Sequence, residues 1–177
     1  MPDVLTPEQR HRNMAAIHSV STKPELKLRF ALWHLGFRYR INQKCLPGSP
    51  DIVLPKYRTV IFVHGCFWHG HRGCEYYTIP QTNTDFWKAK VAGNQERDQE
   101  VWRQLEAKNW YVIIVWECQL KKKEFKDTLD RVEAEIIKNG DAYRRCQDSR
   151  KEARKAYLME RGARKKREEG LMAEIKR

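Results

Sequence analysis

Short apolar runs punctuate an otherwise polar chain. Val60-Ile61-Phe62-Val63 is continuous and mostly β-branched, and Ile52-Val53-Leu54 and Val112-Ile113-Ile114-Val115 repeat the pattern. Runs of this length between turn formers predict strands buried on both faces, here over 51–54, 59–64 and 110–116. Residues 37–41 alternate and predict a further strand. Leu46-Pro47-Gly48-Ser49-Pro50 is a loop and Pro55-Lys56-Tyr57-Arg58 a turn. Folding 51–54 onto 59–64 as a hairpin sets Asp51 opposite residues 62–64, so a carboxylate arrives at the far end of the central strand.

Between the runs the period lengthens to that of helices. Thr6-Pro7-Glu8-Gln9 is a capping box with proline at the first helical position, predicting a helix over 7–17. That helix reads either as a solvated surface element or as an arm against a phosphate backbone. A second helix starts at Ser21-Thr22-Lys23-Pro24-Glu25 and stops at Gly36, burying Leu28, Ala31, Leu32 and Leu35. Glu25, in its first turn, has the ordinary role of complementing the helix dipole. A long helix over 84–109 turns Val91, Trp102 and Leu105 inward. Another follows Lys121-Lys122-Lys123 to residue 139, with Leu129, Val132 and Ile136 as its stripe. From residue 140 the apolar positions are too sparse to dictate a core, and no element is predicted. The chain divides into an arm at 1–20, a catalytic-sized domain at 21–139 and a basic tail at 140–177.

Charge narrows the partner. The formal net charge is +12, and residues 121–177 hold 19 Lys and Arg against 12 Asp and Glu, which is +7 of it. A polyanion is the natural partner, nucleic acid before membrane, because no basic stretch has a clean apolar face. No run approaches the roughly 18 apolar residues of a membrane span. Met1-Pro2-Asp3-Val4 has neither the basic segment nor the apolar core of a secretion signal, so a cytosolic, nucleoid-associated protein is expected. The five cysteines, an odd number, favour metal ligation over disulfides in that compartment.

The chemistry gathers where the central strand ends, in His64-Gly65-Cys66-Phe67-Trp68-His69-Gly70-His71-Arg72-Gly73-Cys74. Cys66, His71 and Cys74, with Cys118 at the end of another strand, make a four-ligand set suited to a closed structural Zn²⁺ site; the alternative is free buried cysteines. His64 and His69 then remain beside Asp51. A carboxylate, a backbone carbonyl and waters suit Mg²⁺, and a near-neutral histidine accepts a proton from water or gives one to a leaving oxygen. Phe67 and Trp68 lie between ligands that hold the segment at the surface, where aromatic rings can wedge between base steps. Trp87 either joins them or belongs to the core.

Pro50-Asp51, Val60-Ile61-Phe62-x-His64-Gly65-Cys66-Phe67-Trp68-His69, Phe86-Trp87, Asn94-x-Glu96-Arg97-Asp98 and Val115-Trp116-Glu117-Cys118 closely resemble the very short patch repair (Vsr) DNA mismatch endonucleases. The similarity covers roughly residues 7–120. It implies an α/β fold related to type II restriction endonucleases, a mixed sheet flanked by helices, and a Mg²⁺-dependent nick 5′ to the thymine of a T·G mismatch left by 5-methylcytosine deamination. By the same resemblance Asp51 and the Val63 carbonyl bind Mg²⁺, at a position where the family usually carries Thr. His69 is the general base, His64 assists at the phosphate, and Glu25 and Asp98 support them. Phe67, Trp68 and Trp87 wedge from the major groove while Met14 approaches from the minor groove. Cys66, His71, Cys74 and Cys118 hold zinc. The implied partners are duplex DNA with a T·G mismatch, mismatch-repair accessory proteins, and a repair polymerase and ligase, with the enzyme a monomer. The competing readings are a restriction-type or homing-type nuclease that cuts intact duplex, and a zinc-stabilised DNA-binding module without catalysis.

Overall fold

All three apolar runs form strands in the computed structural model, and the reason is visible in what covers them. The structure describes residues 21–175 and, ahead of them, Thr6, Glu8, Gln9 and Arg12, with side chains described up to residue 162. Strand β1 (Ile52–Leu54) pairs antiparallel with β2 (Thr59–His64), which pairs parallel with β3 (Tyr111–Trp116). Ile52, Leu54, Ile61, Ile113 and Val115 face one way, into a core with Leu28, Leu32, Val132 and Ile136. Val53, Val60 and Phe62 face the other way, against Leu105 and Trp110. A sheet covered on both faces has no polar face to show in the sequence, which is why its strands read as continuous apolar runs.

Helix α1 (Lys23–His34) and the first turns of α3 (Phe125–Ile175) cover one face of the sheet. Helix α2 (Thr84–Ala107), which carries the crossover from β2 to β3, covers the other. The chain is therefore a mixed α/β protein built on a three-stranded mixed sheet. Residues Met1–Asn139 and Gly140–Arg177 form two compact units.

Several local expectations need correction. Residues 37–41 do not form a strand; Arg40 alone bridges to Val53. The edge strand β1 is only three residues long, and Asn42 at φ 45° turns the chain away after one bridge. Leu35 is 41% exposed, because α1 stops at His34 and Leu35 leaves the helical path as its C-cap. Helix α2 ends at Ala107, with Asn109 in the left-handed region at φ 58°. Trp102 is half-buried at the wall of a pocket instead of sealed in the core.

The largest difference lies after residue 139. Helix α3 continues without interruption to Ile175. Arg, Lys, Glu and Ala are good intrinsic helix formers, and the pairs Asp141–Arg144 and Asp148–Lys151 span one turn each. Local propensity builds a helix here without a hydrophobic stripe to announce it. Met14 and most of the predicted helix over 7–17 lie outside the described residues. The capping box at its start is formed: the Thr6 N–H donates to Gln9 Oε1 at 2.9 Å and the Gln9 N–H to Thr6 Oγ1 at 3.2 Å.

Candidate active site and metal centre

The topology brings the chemistry to one end of the sheet. Parallel strands β2 and β3 finish side by side, with His64 paired to Trp116, and the chain beyond each tip carries Cys66 and Cys118. Antiparallel β1 starts at that same end. Ile52 pairs with Ile61, so Asp51 falls opposite Phe62, and Asp51 Oδ2 accepts the Val63 N–H at 2.8 Å. Loops beyond the carboxyl ends of parallel strands are the usual place for sites in open α/β sheets.

A cavity of about 600 Å³ opens there, lined by Glu25, Asp51, His64, Trp68, His69 and Asp98 among others. His69 Nδ1 lies 2.6 Å from Asp98 Oδ2, which α2 supplies. The His64 ring stacks on His69 with centroids 3.8 Å apart, and its buried Nδ1 has no hydrogen-bond partner, with Asp98 Oδ2 at 3.9 Å. Burial lowers the His64 pKa to about 4, with His69 beside it adding to the effect, so the ring is neutral at pH 7. Burial likewise raises the Asp51 carboxyl to about 6, helped by nearby Glu25 and opposed by the Val63 N–H and Arg29. A carboxylate held in such a place gains most from a bound cation, so Asp51 fits the hard-cation role. His64, His69 and Asp98 also have donor atoms within 4.8 Å of one another. The 2.6 Å contact between His69 Nδ1 and Asp98 Oδ2 fixes the orientation of the ring.

Glu25 does more than complement a helix dipole. It is 4% exposed and accepts from the Ser21 N–H, Thr22 Oγ1 and Arg29 Nη2. Arg29 was not singled out by the sequence, although it stands four residues after Glu25. Its guanidinium is buried and also donates to the Asp51 carbonyl at 3.1 Å, tying α1 to the start of β1. Removing either member of a buried pair leaves the other uncompensated, a cost on the order of 3–5 kcal/mol.

A second cluster sits a few residues along the chain. One donor atom from each of Cys66, His71, Cys74 and Cys118 lies within 4.8 Å of the others. His71 Nδ1 is 3.6 Å from Cys66 Sγ and 3.4 Å from Cys118 Sγ. Burial pushes the Cys118 thiol up to about 12, and the neighbouring thiols push in the same direction. Three thiols crowded into a desolvated spot cannot ionise together without a cation, and a thiolate–imidazole set of four is the composition of a closed Zn²⁺ site. The Trp116 ring lies flat on His71, with centroids 4.1 Å apart and planes 2° from parallel, and meets His64 edge-on at 5.5 Å.

Phe67, Trp68 and Trp87 are half-buried and pack edge-to-face at 5.2–6.1 Å, with Phe86, 61% exposed, against Trp87. The structure thus gathers Glu25, Asp51, Val63, His64, Trp68, His69 and Asp98 around one cavity. Cys66, His71, Cys74 and Cys118 gather in the adjoining cluster, and Phe67 and Trp87 join the aromatic group that includes Trp68. Among the described residues no helix is long and apolar enough to cross a membrane.

An acid, a histidine paired to a second acid and a group of aromatic rings thus meet at one cavity. The family described as DNA mismatch endonuclease Vsr matches residues 2–75. The type II nicking enzyme V.NmeAIP of Neisseria meningitidis is 49% identical over 137 residues, covering 77% of this chain and 97% of that protein. The type II nicking enzyme V.XorIIP of Xanthomonas oryzae is 46% identical over 68% of this chain and 88% of its own length. The DNA mismatch endonuclease Vsr of Escherichia coli is 43% identical over 70% of this chain and 79% of its own length. The chain belongs to the Vsr DNA mismatch endonuclease family and is a DNA endonuclease, a hydrolase of phosphodiester bonds.

Proposed function

We propose that this endonuclease nicks duplex DNA 5′ to the thymine of a T·G mismatch, opening the strand for very short patch repair by a polymerase and ligase. The observation that carries the reading is the meeting of Asp51, His64 and the His69–Asp98 pair in one cavity, with Trp68 on its wall and Phe67 and Trp87 packed against that ring. A DNA-binding module has no use for a proton-accepting pair beside a buried carboxylate. In this reading the fold is a variant of the type II restriction endonuclease sheet. Residues 1–20, with Met14, form a DNA-contacting arm, 21–139 the endonuclease and 140–177 a basic accessory grip.

Asp51 and the Val63 carbonyl would hold Mg²⁺, which when bound supplies Lewis acidity and a more acidic water. Asp98 accepts a hydrogen bond from the Nδ1–H of His69, which leaves Nε2 as the basic nitrogen. His69 then takes a proton from the attacking water, and Asp98 stabilises the imidazolium that results. His64, neutral and stacked on His69, keeps a second cation away from the base and serves the phosphate as a hydrogen-bond partner. Glu25 is held by Arg29 as a further acceptor at the rim. Phe67, Trp68 and Trp87 enter the base stack, where a mispaired step costs least to open. Cys66, His71, Cys74 and Cys118 would hold a structural Zn²⁺ that anchors the loop carrying these rings.

The decisive assay uses end-labelled duplexes, one with a T·G mismatch and one fully paired, with and without Mg²⁺. The expected result is a Mg²⁺-dependent nick on the thymine strand of the mismatched duplex alone. Equal cleavage of both duplexes would overturn the mismatch reading in favour of a restriction-type nuclease.

A further inference from the structure

Between Cys66 and His71 the chain makes a tight loop whose backbone faces α2. The His69 N–H donates to the Gly65 carbonyl at 3.2 Å and the His71 N–H to the Cys66 carbonyl at 2.9 Å, so the loop closes on itself. Three consecutive carbonyls, those of Trp68, His69 and Gly70, are left to find other donors, and α2 provides them. Asn94 Nδ2 donates to the Trp68 carbonyl at 2.8 Å. Gln95 Nε2 donates to the carbonyls of His69 at 3.2 Å and Gly70 at 3.3 Å. One turn further on, Asp98 takes the His69 ring. Residues 94, 95 and 98 thus grip one loop by its backbone and by its reactive side chain.

The approach is close enough to constrain the sequence on both sides. Gly70 is buried at φ 65°, and a Cβ there would lie 2.4 Å from Gln95 Nε2 and 2.8 Å from Val91 Cγ1. Left-handed backbone and a missing side chain together let the loop rest on α2. The amide group of Gln95 has two N–H donors, matching the two carbonyls it meets. A carboxylate at this position could offer neither.

We infer that Gln95 is a positioning residue for strand cleavage: it holds the backbone of His69 and Gly70 on α2, so that the ring of His69, its Asp98 partner and the Trp68 wedge move as one body. The inference rests on the reading of His69 as the base. Without the clamp, the loop can follow Trp68 into the DNA while Asp98 stays behind on the helix, and the base loses its orientation at the moment the wedge engages. Misplacement of a catalytic group by about 1 Å can cost on the order of 10²-fold in rate. A partial loosening of one backbone segment is expected to cost about tenfold.

The test compares single-turnover nicking by the full-length chain with that of Gln95→Met, which keeps length and loses both donors, and Gln95→Glu, which replaces them with an acceptor. Assays run well below the melting temperature of each variant, on whichever duplex the wild-type chain nicks. A rate at saturating enzyme lowered about tenfold in Gln95→Met and further in Gln95→Glu, with DNA affinity within twofold of wild type, supports the inference. Wild-type rates in both variants overturn it. So does weakened DNA binding with an unchanged saturated rate, which would make Gln95 a DNA contact. Nicking of mismatched and paired duplexes alike by the wild-type chain overturns mismatch specificity instead, and leaves the Gln95 comparison readable because it is a ratio on one duplex.

Discussion

Cys66 and His69 are three residues apart, yet they belong to clusters that solve opposite problems. In the thiol cluster four donor atoms lie within 4.8 Å of one another, enough to fill a tetrahedral site. The acid–histidine cluster turns outward: Asp51 and the His69–Asp98 pair surround a cavity of about 600 Å³ without closing it. Both rest on the same strand end and both are desolvated, which raises the thiol of Cys118 and the carboxyl of Asp51 alike. Their chemistry separates them. Three thiols and an imidazole that fill all four positions stabilise a fold, whereas hard oxygen donors with positions to spare leave room for water and phosphate.

The sharpest way to break this comparison is Asp51→Asn, which keeps an acceptor for the Val63 N–H and removes the charge. Nicking is expected to fall at least about 10³-fold while DNA binding persists, measured on the mismatched duplex. The same change should stabilise the magnesium-free protein. Asp51 holds its proton more tightly when folded than when unfolded, so its contribution is fully present below pH 3.8 and is lost as the pH rises through about 6. At pH 7.5 that loss is about 3 kcal/mol. His64 acts in the opposite sense, since its folded pKa is lowered to about 4 and its contribution is lost as the pH falls below 6.5. The two contributions oppose each other in the wild-type chain. Thermal melts of Asp51→Asn in magnesium-free buffer should therefore show stability rising more steeply between pH 4 and 6.5 than in wild type. A variant no more stable than wild type at pH 7.5 would count against a strained, buried carboxylate.

On the other side of the comparison, Cys118→Ser should act on folding first. Loss of one ligand is expected to abolish stoichiometric Zn²⁺ and cost several kcal/mol, seen as a large fall in melting temperature with zinc measured by atomic absorption. A stable, zinc-free and fully active variant would remove the metal from the account of this cluster. The smallest effect is expected from the basic tail. Ending the chain after Asn139 removes exposed Arg150, Arg154, Lys155 and Arg161 and should weaken binding to paired duplex about tenfold, with a shallower dependence of log Kd on log salt. An unchanged salt slope would exclude the tail from DNA contact.

The pattern of residues carried a large part of this structure. β-Branched apolar runs can be satisfied only by a covered sheet, and the turn at Pro55 forces a hairpin, so the neighbourhood of Asp51 and Val63 was legible before any coordinate. The Cys and His spacing likewise announced that Cys66, His71, Cys74 and Cys118 would cluster, because few other arrangements use those residues so close together. The long helix after Gly140 was not legible in the same way: it is held by intrinsic propensity and one-turn ion pairs, and hydrophobic periodicity is silent about both.

What tertiary structure alone decided is which groups hold which. Asp98 is 29 residues from His69, Arg29 is 22 from the Asp51 carbonyl it ties down, and Gln95 is 25 from Gly70. Each of these is a polar residue on a helix; Asp98 stands in a motif the sequence displays, but nothing local marks Arg29 or Gln95, and nothing local names the partner of any of the three. Only the packing of α1 and α2 on opposite faces of one sheet sets them against the strand ends. The composition of the site follows from local chemistry that a sequence displays; its orientation depends on hydrogen bonds between distant segments, and those exist only once the core has formed.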